Sequence, residues 1–382
     1  MVETQDVVII GAGLIGLSVA YHLSTLGCNH VVVVEHESAW GQGASGRSAG
    51  GVRLQFSHPS SVQFSQYALQ FIADSEERLG VSIPFKASGY LFLTRDRERW
   101  QALRKLAPMQ RELGAPVELL TPQAIRERYS YVDMEDLVGG TFCPLDGIGD
   151  PWSMLYGLAS AARRRGVEIR LSETVMGIAV EGDRVVGVTT NRGTIASPCV
   201  VNAAGAYARE IGKMAGISIP VAPYRRSIYV TDAFDQIPAD IPMTLDLDTT
   251  SYLRREGHSI LMGMSDPEEP SSFHTETDTH ALQRVVETLL SWVPRLELAS
   301  IMRGWAGLYA VSPDDSAIIG EVQARPGFFL ANGFSGHGFM HAPAAGRVLA
   351  ELIMGQTPFV DIHPFRLERF NDKKLVPEQF VI

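Results

Sequence analysis

Short, wholly apolar runs alternate along the chain with longer stretches in which apolar residues recur at helical spacing. The first run, DVVII at residues 6–10, precedes GAGLIG and the helical pattern LSVAYHLSTLG, and HVVVVE at residues 30–35 follows. Apolar runs without polar alternation are typical of parallel strands that are buried on both faces. The order predicts a strand, a tight turn, a helix that ends near Gly27 and a second strand, which together form a βαβ unit.

The rest of the chain continues this alternation. Helical spacing predicts helices at 61–79, 98–113, 151–165, 281–293 and 341–354. Apolar or alternating runs predict strands within 86–94, 167–171, 174–190, 199–203, 227–231, 259–264, 317–321 and 328–332. Nucleotide-type units recur at both ends and in the middle, whereas the segments at about 85–142 and 223–304 are strand-rich and less regular. We therefore predict an α/β protein whose first domain is discontinuous, with residues 1–84, 143–222 and 305–382, and whose second domain, 85–142 and 223–304, is inserted in two pieces.

Composition narrows the functional classes. The 382 residues are 45% hydrophobic and 20% charged, as expected for a globular protein that buries a sizeable core. A net charge of −10 argues against a nucleic-acid partner, which requires a basic surface. Short arginine runs at 163–165, 225–226 and 254–255 are expected to be solvated or to lie at helix ends.

The cysteines and the apolar start of the chain bear on its location. Cys28, Cys143 and Cys199 are far apart and include no CxxC spacing, so neither a metal site nor a disulfide framework is expected. This usage favours a reducing cytoplasm. Residues 7–26 are apolar, but acidic residues rather than basic ones precede them, and His22 and glycines interrupt them. We interpret this stretch as a buried strand and helix, and we expect no signal peptide and no transmembrane segment.

The first turn has the spacing of a dinucleotide-binding motif. Gly11, Gly13 and Gly16 follow a strand and open a helix, and Glu35 ends the next strand. In such a motif the first glycine allows the tight turn, the second lets the backbone approach a pyrophosphate, and the third lets helix and strand pack closely. The helix N-terminus attracts the phosphates, and the acidic residue accepts hydrogen bonds from ribose hydroxyls. The acidic residue argues against NADP, but the motif alone does not separate NAD from FAD.

Two further glycine-rich segments, GQGASGRSAGGVR at 41–53 and GFSGHGFM at 333–340, have no side chains at several positions and can lie against a flat ring system. Taken with other motifs, they make the chain resemble the D-amino-acid oxidase superfamily of FAD enzymes, in its branch of sarcosine oxidase, glycine oxidase and the proline dehydrogenase β-subunit. The resemblance covers essentially the whole chain. The other motifs that carry it are DVVIIGAGLIG with Glu35, PLDGIGDP, VVNAAGAYA, WAGLYAVSPDDSAIIG and PFRLERF.

The resemblance implies a discontinuous Rossmann-type FAD-binding domain with an inserted antiparallel-sheet substrate domain. It assigns the adenosine and pyrophosphate end of FAD to Gly11, Gly13, Leu14, Ile15, Gly16, Glu35, His36, Val175, Ala203, Ala204 and Gly205. It assigns the flavin ring to Ala44, Ser45, Arg47, Ser48, Ala49, Gly50, Gly51, Gly307, Leu308, Gly333, Phe334, Ser335, Gly336, His337, Gly338, Phe339 and Met340.

The resemblance also implies a reaction. Family members remove a hydride from the carbon beside an amine nitrogen and transfer it to flavin N5, and the resulting imine hydrolyses in water. The expected substrate is a small secondary or N-alkyl amino acid such as sarcosine, proline, dimethylglycine or an opine. The alternatives are a 2-hydroxy-acid dehydrogenase and a flavoprotein β-subunit that passes electrons to partner subunits. A nucleotide-binding protein without catalysis is the remaining alternative.

Departures from the relatives sharpen these expectations. Arg47 stands where some relatives attach FAD through histidine, and Gly307 stands where others use cysteine, so the FAD is expected to be non-covalent. Leu261 stands where sarcosine oxidases have a lysine that helps O₂ react, and no lysine lies between residues 214 and 372. Because a cation stabilises developing superoxide, its absence favours a dehydrogenase over an oxidase, unless His337 replaces it.

Four residues are the candidates for contact with substrate. Arg53 corresponds to a substrate-facing arginine in several relatives, and a guanidinium matches a carboxylate in one plane. Tyr252 matches a substrate-contacting tyrosine of the glycine oxidases, which place an arginine where this chain has Tyr309. Tyr309 either hydrogen-bonds substrate or only packs. His337 is the one candidate for acid–base work, and Met340 stands where sarcosine oxidases have a lysine.

Overall fold

The computed structural model describes residues 3–371, 375 and 377–380. Within these ranges the strands, in chain order, are β1 (Glu3–Thr4), β2 (Val7–Ile10), β3 (Val31–Val34), β4 (Gly51–Val52), β5 (Phe85–Lys86), β6 (Tyr90–Thr94), β7 (Glu118–Leu120), β8 (Gly139–Cys143), β9 (Gly147–Gly149), β10 (Glu168–Arg170), β11 (Val175–Glu181), β12 (Arg184–Thr190), β13 (Gly193–Ala196), β14 (Val200–Asn202), β15 (Ala222–Thr231), β16 (Met243–Asp246), β17 (Ser251–Glu256), β18 (Ser259–Met264), β19 (Ile301–Val311), β20 (Ile318–Glu321) and β21 (Phe328–Asn332).

The α-helices of the same ranges are α1 (Leu14–Thr25), α2 (Pro59–Ala73), α3 (Ser75–Leu79), α4 (Arg97–Glu112), α5 (Pro122–Arg128), α6 (Pro151–Arg164), α7 (Ala208–Met214), α8 (Thr279–Leu290) and α9 (Gly338–Ile353). Short 3₁₀ turns occupy Ala44–Arg47, Gly205–Tyr207, Pro294–Leu298, His363–Phe365 and Leu367–Phe370. No helix in the described part of the chain is both long enough and apolar enough to cross a membrane.

The predicted βαβ unit is confirmed and lies at the centre of a six-stranded sheet of order β10-β3-β2-β14-β21-β20. All neighbouring pairs are parallel except β20 with β21. Val7 and Ile9 point into a core that includes residues of α1, α6 and α9, whereas Val8 and Ile10 point towards the small sheet formed by β1 and β11–β13. Because both faces are covered, the strand sequences lack polar alternation.

An eight-stranded sheet of order β19-β15-β18-β17-β16-β6-β8-β7 forms the second unit. It is antiparallel apart from the β16–β6 pair. One face packs on α8 and on apolar residues between α5 and β8. The other face carries Tyr90, Tyr252 and Leu261, and Ala49 of the first glycine-rich segment packs against it. This second face therefore borders the Rossmann-type unit.

The strands bear on the proposed domain division, which stays a prediction. β19 runs without interruption from Ile301 to Val311, so the boundary at residue 305 falls inside one strand. β4, β9 and β5 form a small antiparallel sheet. Its strands come from three different predicted segments, 1–84, 143–222 and 85–142. We expect these shared elements to hold the two units in one orientation.

Two helix predictions differ from the structure. The helix predicted at 61–79 is two helices, α2 and α3, which meet at Asp74. The last helix, predicted from His341, begins at Gly338 and has His337 as its N-cap. The glycines before it hid this start, because glycine disfavours a helix interior but is tolerated at its first turn.

Candidate active site

The dinucleotide turn requires its glycines. Gly11 has φ +105°, and a Cβ there would lie 2.6 Å from the carbonyl oxygen of Ala203. A Cβ on Gly16 would lie 2.0 Å from the carbonyl oxygen of Gly11. Gly13 is the N-cap of α1 and has no side chain to cap the first-turn amides, of which that of Leu14 bonds to Ser45. Gly11 and Gly16 therefore have the steric roles that the sequence predicts, and the approach of Gly13 to a pyrophosphate stays a prediction.

Glu35 closes the same turn from the next strand. Its carboxylate accepts hydrogen bonds from the amides of Ala12 at 2.7 Å and Glu37 at 2.9 Å, and the His36 ring lies 3.0 Å from one oxygen. Ser45 accepts a hydrogen bond from the Leu14 amide at 3.0 Å. The structure therefore brings both predicted cofactor segments, the βαβ turn and the 44–51 loop, to one helix N-terminus.

The adenosine candidates lie beyond this turn. Val175 is buried, Ala203 is hydrogen-bonded through its amide to Ile10, and Gly205 has φ +53° with no atom within 4 Å of where a Cβ would stand. Tyr207 contacts the His36 ring edge to face at 5.4 Å. This open, glycine-lined edge beside Glu35 fits a dinucleotide that runs across the carboxyl ends of β2, β3 and β14.

The 44–51 loop is fastened to β19. Arg47 donates from Nη1 to the Ala306 carbonyl at 2.7 Å, and the Trp305 indole donates to the Arg47 carbonyl at 3.0 Å. A Cβ on Gly307 would lie 3.2 Å from Cβ of Arg47. Gly307 and Leu308 thus lie next to the loop, and neither Arg47 nor Gly307 offers a side chain that attaches flavin in the relatives.

Gly50 and Gly51 allow close approach of other elements. Gly50 has φ +76°, and a Cβ on it would lie 2.3 Å from the carbonyl oxygen of Gly149. A Cβ on Gly51 would lie 1.8 Å from the Tyr90 hydroxyl. The glycines therefore let the loop press directly on β9 and on the second sheet. The Ser48 hydroxyl accepts a hydrogen bond from the Gly50 amide at 3.1 Å, which fixes the bend of the loop.

The GFSGHGFM segment forms a tight turn into α9. Gly333, Ser335 and Gly336 have φ values of +68°, +47° and +93°. A Cβ on Gly336 would lie 2.4 Å from the Tyr309 ring, so this ring rests on the turn. The Ser335 amide donates to the Ala310 carbonyl at 3.0 Å, which ties the turn to β19. Phe334, Phe339 and Met340 are buried behind it.

Arg53 is a buried residue, 1% exposed, at the back of this turn. It donates to the Gln55 carbonyl at 3.1 Å, to Nε2 of His337 at 2.9 Å and to the Phe380 carbonyl at 2.5 Å. Its guanidinium stacks on the Phe56 ring at 4.4 Å. Arg53 is therefore not an exposed arginine that merely follows a loop.

The Arg53 contact fixes the chemistry of His337. Arginine is only a donor, so Nε2 of His337 is the acceptor and the ring proton lies on Nδ1. Burial, and then the neighbouring Arg53 and His341, hold the pKa of His337 well below its ordinary value. His337 is therefore neutral, and its basic nitrogen is already engaged.

Tyr252 and Tyr309 complete the predicted group. Tyr252 is buried on β17 opposite Gly263, whose missing side chain leaves room for the tyrosine hydroxyl. Burial raises the pKa of both tyrosines, so both hydroxyls keep their protons and are available as hydrogen-bond donors. The four predicted substrate candidates thus converge where the second sheet meets the turn.

Three features of the site were not predicted as functional. Asp146, in the PLDG motif, accepts hydrogen bonds from the Leu54 amide at 2.8 Å and from Gln55 Nε2 at 3.0 Å, and burial raises its pKa to about 7. It fixes the backbone that follows Arg53. Phe380, whose carbonyl holds Arg53, lies 327 positions away in the chain, and no local pattern marks it.

The third feature corrects the prediction for the arginine runs. Residues 163–165 are exposed at the end of α6, as predicted. Arg254, in contrast, is only 8% exposed and donates to the Ala49 carbonyl at 3.0 Å. Arg226 is partly buried with its guanidinium 5.6 Å from the centre of the Tyr309 ring. Consecutive residues of a strand point to opposite faces, so an arginine pair in a buried strand must direct one member inward. The alternation of strand residues is therefore the sequence signal that could have identified Arg226 and Arg254 as inward-facing.

Comparison with known proteins agrees with this geometry. A family model described as DAO, FAD dependent oxidoreductase, matches residues 6–352. FAD-dependent oxidoreductase domain-containing protein 1 of Xenopus laevis is 31% identical over 428 residues, covering 100% of this chain and 85% of that protein. Human mitochondrial sarcosine dehydrogenase is 31% identical over 97% of this chain, which spans only 42% of that protein.

Solved structures show the same fold. L-proline dehydrogenase from P. horikoshii superposes with a TM-score of 0.89 at 31% identity and covers 98% of this chain and 100% of its own. Glycine oxidase from Geobacillus kaustophilus superposes with a TM-score of 0.83 at 25% identity, over 96% and 99% of the two chains. The glycine turn, Glu35 and the two loops are thus found in a chain of the expected architecture.

Proposed function

Because the chain belongs to the DAO family of FAD-dependent oxidoreductases, we propose that it oxidises the C–N bond of a small secondary or N-alkyl amino acid. The observation that carries this proposal is the convergence of cationic and phenolic side chains where β19 meets the turn before α9. Arg53, Tyr252, Tyr309 and His337 lie there, and the Arg226 guanidinium lies 5.6 Å from the centre of the Tyr309 ring. A cationic site suits a substrate that carries a carboxylate.

The relatives support an amino-acid substrate in general. Their names include a sarcosine dehydrogenase, a dimethylglycine dehydrogenase, a proline dehydrogenase and a glycine oxidase. Three of these four act on secondary or tertiary amines, which suggests the N-alkyl class for this chain. Since the chain spans less than half of the first two, their complete activities are not transferred to it.

Bound FAD supplies the acceptor for the two electrons that leave the substrate. The described residues would hold it by the amides and Glu35 at the first turn, by the 44–51 loop, and by the turn before α9. The chain's own contribution is then to orient the amino acid and to keep water out. Tyr252 and Tyr309, both protonated, can donate hydrogen bonds to a carboxylate or orient an amine.

The geometry favours an amine over a 2-hydroxy acid. Oxidation of an alcohol needs a base for the hydroxyl proton, and His337 is the predicted candidate. Its Nε2 accepts from Arg53, and its Nδ1 carries the proton, so neither nitrogen has a free lone pair. An amine that enters in its neutral form needs no such base. His337 is better described as a residue that positions the turn.

We further propose that the electron acceptor is not O₂. The chain has no lysine between residues 214 and 372, and Leu261 is buried on β18. His337 is neutral, so it does not supply the charge of the lysine that sarcosine oxidases have at the position of Leu261. Slow reaction with O₂ fits an enzyme that hands its electrons to a partner subunit or a soluble acceptor.

One anaerobic experiment tests substrate and acceptor together. N-methylglycine, N,N-dimethylglycine, proline and an N-carboxyalkyl amino acid are each added to the oxidised protein, with lactate and 2-hydroxyglutarate as alcohol controls. We expect flavin absorbance near 450 nm to bleach with an amine and to return slowly after air is admitted. Bleaching only by the hydroxy acids contradicts the proposed substrate class, and recovery within the mixing time contradicts the proposed acceptor.

We expect the flavin to be bound without a covalent bond. Gly307 has no side chain, and the side chain of Arg47 is a guanidinium, which is no nucleophile at neutral pH. After acid precipitation and centrifugation, all yellow colour is expected in the supernatant. A pellet that keeps flavin fluorescence after washing in denaturant contradicts this prediction.

A further inference from the structure

Arg225 and Arg226 are neighbours on β15 with opposite environments. Arg225 donates from Nε and Nη2 to the two carboxylate oxygens of Glu269, at 2.9 and 3.0 Å, and lies 2.8 Å from Asp278. Arg226 makes one hydrogen bond among the described residues, from Nη1 to the Arg225 carbonyl at 2.9 Å. Its Nε is buried and lacks a partner there, and no ion pair of the described chain includes it. A buried donor without an acceptor is costly to a fold.

The free edge of Arg226 lies within the candidate active site. Arg226 is opposite Gly307 in the β15–β19 register, and Gly307 faces the 44–51 loop. The Arg226 guanidinium lies 5.6 Å from the centre of the Tyr309 ring, and that ring rests on Gly336. Arg226 therefore lies between the two glycine-rich segments that the family uses to enclose its flavin.

Nearby acids do not use this edge. Burial lowers the pKa of Arg226, and Tyr309 and the carboxylates of Glu269, Asp266 and Asp315 oppose that shift. Glu269 is engaged by Arg225, and Asp266 lies 2.8 Å from Arg284. Asp315 acts on Arg226 only from a distance, since no hydrogen bond or ion pair in the described chain joins the two. Arg226 is thus a charged group that makes no ion pair with the described residues.

Arg53 differs from Arg226 in its hydrogen bonds. Nη2 of Arg53 donates to both His337 and Phe380, so both of its protons are used. A planar carboxylate meets arginine best through two parallel N–H groups, and the Nε–Nη2 edge is one such pair. Nε of Arg53 also lacks a partner, but its Nη2 is occupied, so Arg53 cannot offer this pair of N–H groups. No hydrogen bond in the described chain uses either nitrogen of the pair in Arg226.

We propose that Arg226 is the residue that binds the substrate's carboxylate, through Nε and Nη2, beside the Tyr309 ring. Arg53 instead positions the turn before α9 through His337. The proposal rests on the proposed function in taking the ligand to be an amino acid. It replaces the resemblance-based assignment of the carboxylate to Arg53.

The first test needs no turnover. Cyclopentanecarboxylate, which has the outline of proline without its nitrogen, is titrated into the oxidised holoprotein against cyclopentanecarboxamide, and the flavin spectrum is recorded. We expect Arg226→Gln to weaken binding of the acid by roughly 100-fold, as for loss of one partner of a buried charge pair. The affinity of Arg226→Gln for the amide is expected to stay within about threefold of the wild-type affinity, because the uncharged amide makes no ion pair with Arg226. Arg226→Lys is expected to fall between the two proteins.

Arg225→Gln is the matched control, since it removes the adjacent arginine from the other side of the same strand. It is expected to leave the preference for acid over amide unchanged. Arg53→Gln is expected to lower the melting temperature while keeping that preference. A preference that survives in Arg226→Gln, or that is lost in Arg53→Gln instead, overturns the proposal.

A second measurement separates this proposal from the proposed function. For the amine that bleaches the flavin fastest, kcat and KM are compared between the acid and its amide, with the Arg226 effect expected in KM. If no amine reduces the wild type, the proposed function fails, yet an Arg226-dependent preference for cyclopentanecarboxylate still supports this proposal. A changed spectrum in ligand-free Arg226→Gln with an unchanged preference places the residue against the cofactor and overturns it.

Discussion

Gly16→Ala is expected to yield a protein that has lost most of its FAD and has a lower melting temperature. Alanine is the better helix former by about 1 kcal/mol, so propensity alone predicts a gain. The added Cβ, however, would lie 2.0 Å from the Gly11 carbonyl oxygen and 3.3 Å from the Ile9 side chain. Backbone cannot yield as a flexible side chain does, so α1 must move away from β2. That movement shifts the first-turn amides that are predicted to bind the pyrophosphate, and overpacking of this kind costs about 1–3 kcal/mol.

The ratio of absorbance at 450 nm to that at 280 nm after desalting measures flavin retention, and a thermal melt with excess FAD measures stability. Gly177→Ala is the matched control, because no atom lies within 4 Å of the Cβ position and its φ is ordinary. The control is expected to keep wild-type flavin content. A Gly16→Ala protein that retains full flavin at the wild-type melting temperature contradicts the prediction.

The local part of this fold could be predicted from the sequence because local forces determine it. The run Val7–Ile10, the glycine turn and the spacing in α1 all favour the same βαβ unit, and the structure confirms it. The family follows from the same kind of evidence, since its motifs are short and contiguous. The structure of such a segment can be predicted because its helix and strand propensities, its apolar pattern and its turn residues all favour the same structure.

The site was only partly predictable because its contacts join distant residues. Arg53 meets His337 and Phe380 at separations of 284 and 327 positions. No sequence period or motif indicates that the Phe380 carbonyl accepts a hydrogen bond from Arg53. The sequence therefore predicts which residue types gather near the flavin, but not which arginine keeps a free edge.

The arginine pair on β15, Arg225 and Arg226, shows that the sequence contained a signal for the site that the prediction did not use. A charge run was expected to be solvated, and Arg225 does pair with acids of the 265–278 loop. A strand, however, has a period of two residues, so its neighbour Arg226 must face the other side. Together with Tyr224 and Tyr309, which both lie within 6 Å of its guanidinium, it faces the candidate site. Period and charge considered together would have singled out Arg226.

A second large effect is expected at Arg369, where two of the quoted motifs meet. Arg369, in PFRLERF, donates from Nε and Nη2 to the two carboxylate oxygens of Asp314, in VSPDDSAIIG, both at 2.8 Å. The side chains are 3% and 1% exposed. Arg369 also donates to the Ser316 carbonyl at 2.8 Å. This buried bidentate pair joins the segment after β19 to the chain beyond α9, so it supports the strand on which Tyr309 lies.

Arg369→Met is expected to lower the free energy of unfolding by about 3–5 kcal/mol, since it leaves the buried Asp314 carboxylate without its arginine. The double change Arg369→Met with Asp314→Leu is expected to cost less than the single one, because no buried charge is then left behind. Lys213→Ala removes the exposed pair with Glu210 and serves as the control, with an expected change below about 0.5 kcal/mol. Denaturant unfolding of each holoprotein gives the three values. If Arg369→Met costs no more than Lys213→Ala, the buried pair does not stabilise this part of the fold.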